Sequence, residues 1–81
     1  MEEPQVIFIS DSKPSLEELQ SLVGGYIEVI IPRLKPDEET NYVVNEEGSL
    51  KNLPPNKKAE ELTGVPIVGN MVVLAKKALL T

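Results

Sequence analysis

Two β-branched runs flank a segment that carries its own start and stop signals, and this pairing restricts the fold more than any other feature of the chain. The first run, residues 5–10 (QVIFIS), lies between Pro4 and the cluster Asp11-Ser12-Lys13-Pro14. The second, residues 26–32 (YIEVIIP), is closed by Pro32. Both have the β-branched and aromatic content of strands. Between them, Ser15-Leu16-Glu17-Glu18 has capping-box spacing, in which Glu18 reaches back to the cap amide and acidic side chains sit at the positive helix end. Leu16, Leu19, Leu22 and Val23 share one helical face, and Gly24-Gly25 supplies the left-handed backbone that ends a helix. A strand, a helix of about ten residues and a second strand follow, with a crossover able to set the two strands parallel. The first run lacks clean alternation, which predicts a central strand.

The rest of the chain extends this order. Residues 33–40 are charged, contain Pro36 and have no apolar period, so they read as a mobile solvent loop. Tyr42, Val43 and Val44 form a third strand, and Asn45-Glu46-Glu47-Gly48 has tight-turn composition, so that residues 49–53 can fold back as a short hairpin arm. Pro54-Pro55-Asn56 then leads into a brief helix over 57–63, with Ala59 and Leu62 as its buried face and Gly64 as its stop. Residues 71–75 (MVVLA) form the last strand before a frayed tail, 76–81. The order β-α-β-β-α-β predicts an α+β fold: a small open sandwich, ferredoxin-like or related, with a mixed four-stranded sheet and two helices on one face. The whole of 1–81 is one domain with its core at about 5–75. A core this small favours a homodimer or higher oligomer that shares apolar surface.

Composition narrows the function. The chain has no cysteine and no histidine, which removes thiol nucleophiles, disulfides, thiolate zinc sites, Ser-His triads and most transition-metal sites. No catalytic residue, metal or cofactor is therefore expected, and a reducing cytoplasm is the natural setting. Thirteen acidic against eight basic residues give a net charge of −5, which opposes direct nucleic-acid binding. No signal peptide or membrane span is expected, because residues 1–4 are acidic and the apolar runs fall far short of about 20 residues.

Few residues invite a chemical role. Asn56, Lys57 and Lys58 stand at a helix start, where free amides and two ammonium groups suit a phosphate or carboxylate. The structural reading makes Asn56 an N-cap and the lysines solvated, balanced by Glu60 and Glu61, and it is the heavier of the two. Glu28, between Ile27 and Val29, is a general acid only if buried; a strand carboxylate more often faces solvent. Gly24-Gly25 beside Tyr26 lets a ligand approach the backbone with the ring as a stacking platform, although the glycine pair is a helix stop first. The pairs Glu2-Glu3, Glu17-Glu18, Glu46-Glu47 and Glu60-Glu61, with Asp37-Glu38-Glu39, also raise the idea of an acidic nucleic-acid mimic of antirestriction type.

The segments ELQSLVGGYIE (residues 18–28), NEEG (45–48) and LPPNKKA (53–59), followed by a Gly69-led strand, resemble a small domain family of unknown function carried by phages, plasmids and prophage-bearing bacteria. The resemblance covers roughly residues 6–74. The family commonly has arginine where Lys57 or Lys58 stands, which weakens any bidentate anion contact carried over to this chain. The resemblance implies a phage or mobile-element accessory protein: a non-enzymatic interaction module acting on a host protein through an exposed strand edge or the acidic loop at 37–39. It also suggests, by analogy with small phage proteins of similar size, an oligomeric sponge for a nucleotide or other small anionic ligand, with a phosphate at the start of the second helix (Asn56, Lys57, Lys58) and Tyr26 or Tyr42 stacking on a base.

Overall fold

The computed structural model describes residues 3–10, 13–30, 32, 40–48 and 51–75. Six elements follow in the order β1 (Val6–Ile9), α1 (Leu16–Val23), β2 (Ile27–Ile30), β3 (Thr40–Asn45), α2 (Lys57–Thr63) and β4 (Met71–Ala75). They build a four-stranded sheet in the order β1-β4-β3-β2. β1 runs parallel to β4, while β4 with β3 and β3 with β2 are antiparallel. The predicted α+β class, its element order and its mixed sheet are all present. β1 and β2 point the same way, but they stand at opposite edges with β4 and β3 between them.

The local signals act as their chemistry requires. Ser15 caps α1 by accepting the Glu18 amide on its hydroxyl, and the Glu18 carboxylate accepts the Ser15 amide in return. Gly24 ends the helix at φ +84 and its amide donates to the Gln20 carbonyl at 2.8 Å. α2 is capped by Asn56 and stopped by Gly64.

Several expectations are corrected. First, β1 is an edge strand and not a central one. Its unbroken apolar run reflects layers on both faces of the sheet rather than strands on both sides: Ile7 and Ile9 pack with one core cluster and Val6 with the other. Second, the helices lie on opposite faces. Leu19 and Val23 of α1 pack with Val43, Val72 and Leu74, whereas Ala59 of α2 packs with Val44, Ile67 and Met71. The pleat sends Met71 and Val72 to opposite faces, yet both are fully buried, so each face needs its own cover. Third, no hairpin arm forms at the described residues 51–53: Lys51 donates to the Glu47 carbonyl, Leu53 to that of Gly48, and Asn52 turns the chain at φ 54. The loop predicted over 33–40 ends one residue sooner, because Thr40 already opens β3; residues 33–39 lie outside the described residues, as do 49, 50 and the tail 76–81.

α2 buries Ala59 as expected, but its second buried residue is not Leu62. Thr63, one turn after Ala59, is buried while Leu62 is exposed. The Thr63 hydroxyl donates to the Ala59 carbonyl at 2.9 Å, which satisfies it inside the core. Among the described residues no helix is long and apolar enough to cross a membrane.

Candidate functional site

The predicted ligand-binding start of α2 sits at the end of the sheet where β1 and β4 begin. Residues 54–56 lie against 67–69 through a bridge between Pro55 and Val68, with the Gly69 amide donating to the Pro54 carbonyl and the Asn56 amide to that of Ile67. Gly69 has φ +75, and a Cβ there would stand 2.7 Å from Leu53 Cδ1, so any side chain would strain the backbone and push the tip of Leu53 aside.

Asn56 is turned inward and only 2% exposed. Its Oδ1 accepts the Ala59 amide at 3.0 Å as the helix cap. Its Nδ2 donates to the carbonyls of Gly69 at 2.9 Å and Gln5 at 3.1 Å. Both side-chain donors are spent, so Asn56 ties α2 to β1 and β4 and offers nothing to a ligand. Lys57 and Lys58 are exposed and line an open depression of about 610 Å3 walled by Pro4, Pro54 and Pro55. Glu3 and Glu61 line it too, so its charge is mixed.

The two tyrosines are not part of this depression. Tyr26 is 65% exposed beside the start of β2, with its carbonyl accepting the Glu46 amide. Tyr42 lies half-buried on β3 against the Ala59 and Met71 cluster, opposite Ile30 and Val73. Glu28 is exposed on the edge strand β2, as the solvent-facing reading expects.

The same end of the sheet holds polar residues that the sequence placed in turns and a hairpin arm, with Gly69-Asn70 weighed as a ligand edge and read as structural. Asn70 Nδ2 donates to the Leu22 carbonyl at 3.0 Å and its Oδ1 accepts the Gln5 amide at 2.8 Å. Asn45 Nδ2 donates to the Val23 carbonyl at 3.0 Å and its Oδ1 accepts the Glu47 amide at 2.7 Å. Lys51 Nζ reaches the Gly24 carbonyl at 3.2 Å. The last carbonyls of α1, left without partners by helix geometry, are thus satisfied from three distant segments. α1 has no basic residue in its last turn, and Lys51 brings a cation to its negative end from outside the helix. The signal in the sequence was an asparagine at the end of β3, at the cap of α2 and just before β4, namely Asn45, Asn56 and Asn70.

The sheet edges are the other exposed chemistry. Among the described residues β1 pairs only with β4 and β2 only with β3. Phe8 on β1 is 63% exposed and Val29 on β2 is 52% exposed.

No curated protein and no solved structure matches the chain. The sequence model of one family, described as a domain of unknown function (DUF3846), matches residues 1–78. A match of that extent agrees with the small unknown-function family expected from the sequence, and the chain belongs to the DUF3846 family.

Proposed function

We propose that this chain is a non-enzymatic interaction module of a phage or other mobile element, acting in the host cytoplasm by binding a host protein along an exposed strand edge. The observation that carries the reading is an open sheet whose two edge strands each present a large exposed apolar side chain, Phe8 and Val29. Proteins usually blunt such edges with charge, proline or a bulge, because unpaired backbone groups recruit further strands. β1, VIFI, carries no charge and no proline. Strand addition uses that backbone for affinity and the flanking side chains for choice of partner. The absence of histidine and cysteine supports a binding role over a catalytic one.

The test is a photo-cross-linking residue placed in turn at Phe8, at Val29 and at the exposed Glu17 of α1 in cells. The expected result is one recurrent host protein captured from an edge position and absent from position 17; a self-linked dimer would reveal the oligomer. Equal labelling at all three positions, or turnover of a metabolite by the pure protein, overturns the reading.

A second reading, sequestration of a nucleotide or other anion, is favoured by one observation: Lys57 and Lys58 side by side on the depression of about 610 Å3. On this reading a cyclic dinucleotide binds the wild type, and K57E/K58E abolishes binding with little change in thermal stability, because both side chains are exposed. Absence of binding by the wild type, or binding that survives the double reversal, removes this reading.

A further inference from the structure

The two edges are not equivalent, and the edge at β2 carries a recognition feature that β1 lacks. The Tyr26 carbonyl accepts the Glu46 amide, so Tyr26 and Glu46 are a hydrogen-bonded pair of the antiparallel ladder. The ladder repeats every second residue, which makes Glu28 with Val44 and Ile30 with Tyr42 the next such pairs. The backbone groups of Ile27 and Val29 therefore point away from β3 and are the ones an added strand would meet.

Beside them, on the α2 face, lies a depression of about 220 Å3. Ile30, Val44, Ile67 and Val68 give it an apolar lining, and the exposed carboxylates of Glu28 and Glu46 line it as well. Among the described residues no cation is paired with either carboxylate. A partner residue opposite Glu28 would occupy a non-hydrogen-bonded position, where cross-strand side chains approach most closely, and its side chain would point onto this depression.

We infer that the β2 edge binds an extended segment of a basic partner protein and that the depression receives a lysine or arginine side chain from it. Only such side chains combine an aliphatic stem long enough to cover apolar surface with a charged head to set between two carboxylates. The residues on either side of that cation would face the α1 side of the sheet beside Ile27 and the exposed Val29, and apolar side chains fit there. The recognised pattern is apolar, basic, apolar. The net charge of −5 favours approach of a basic segment over an acidic one.

The inference rests on the strand-edge reading above, and its test separates the two. A displayed library of random heptapeptides is selected on the intact protein and on E28K/E46K, with thermal melting confirming that the variant folds. The expected consensus has lysine or arginine between two apolar residues on the wild type and aspartate or glutamate at that position on the variant. E28Q or E46Q is expected to weaken the best wild-type peptide by roughly two- to fivefold, as for a partly exposed ion pair. No enriched peptide, a consensus without a basic residue, or one unchanged on E28K/E46K overturns the inference. If the enriched peptides are wholly apolar and cross-link to position 8, the interaction reading stands and the assignment to β2 fails.

Discussion

Alanine in place of Asn56 is expected to lower the free energy of unfolding by about 3 kcal/mol, from a lost helix cap and two abandoned carbonyls. The cap alone accounts for about 1 kcal/mol. The remainder comes from the acceptors on Gly69 and Gln5, of which the bond to Gly69 is buried. In a domain of this size, with a total stability of roughly 5–10 kcal/mol, the change is large enough to read from a urea midpoint. Asn56→Asp separates the contributions. Aspartate keeps an oxygen for the Ala59 amide, but it loses both donors and sets a carboxylate against two carbonyls, so it is expected to be at least as damaging as alanine. An aspartate variant close to wild type would mean that the cap is the whole effect and that the ties to β1 and β4 contribute nothing.

The second large effect comes from the two-sided sheet. Leu74→Ala and Met71→Ala each remove a fully buried side chain, and each is expected to cost about 2–5 kcal/mol. The two losses fall on different layers. Leu74 belongs to the cluster that holds Leu19 and Val23 of α1, and Met71 to the one that holds Ala59 of α2. Methyl NMR is therefore expected to show shifts at Leu19 and Val23 in the first variant and at Ala59 in the second. A single pattern shared by both variants would mean one continuous core and would remove the two-layer description.

Much of this architecture was legible because it is written in local chemistry. The capping box at Ser15, the Gly24 stop, the Asn56 cap, the Gly64 stop and the strand at 71–75 depend on neighbours within a few residues, and each stands where those neighbours place it. What was misread depends on distant contacts. An apolar run such as VIFI is produced equally by neighbours on both sides and by layers on both faces, and periodicity alone does not separate the two. Neither the β1-β4-β3-β2 order nor the face that each helix covers is encoded by a local motif: α1 packs on the face of Val43 and α2 on the face of Val44. Ile67 joins the core although it lies in an irregular segment between Pro66 and Gly69, where helix and strand periods say nothing.

The candidate site was legible only as residue types. Asn56, Lys57 and Lys58 are adjacent in sequence, yet one faces the interior and the others solvent. The asparagine bonds that fix this span 51 residues to Gln5 and 13 to Gly69, beyond the reach of a spacing argument. Tyr26 and Tyr42 sit outside the lysine-lined depression because Tyr26 immediately precedes β2 and Tyr42 lies on β3, whereas α2 starts beside β1 and β4.

The parallel pairing of β1 with β4 also governs the timing of assembly. Gln5 and Asn70, bonded at the start of that pairing, are 65 residues apart in sequence. Closing so long a loop is entropically slow compared with forming α1 or the β2–β3 ladder, whose partners are near in the chain. During synthesis the VIFI strand therefore emerges first and waits, without its neighbour, until Met71–Ala75 has been made. For that interval the nascent chain exposes an uncharged apolar strand with unpaired backbone groups, the kind of segment most prone to pair with the wrong strand.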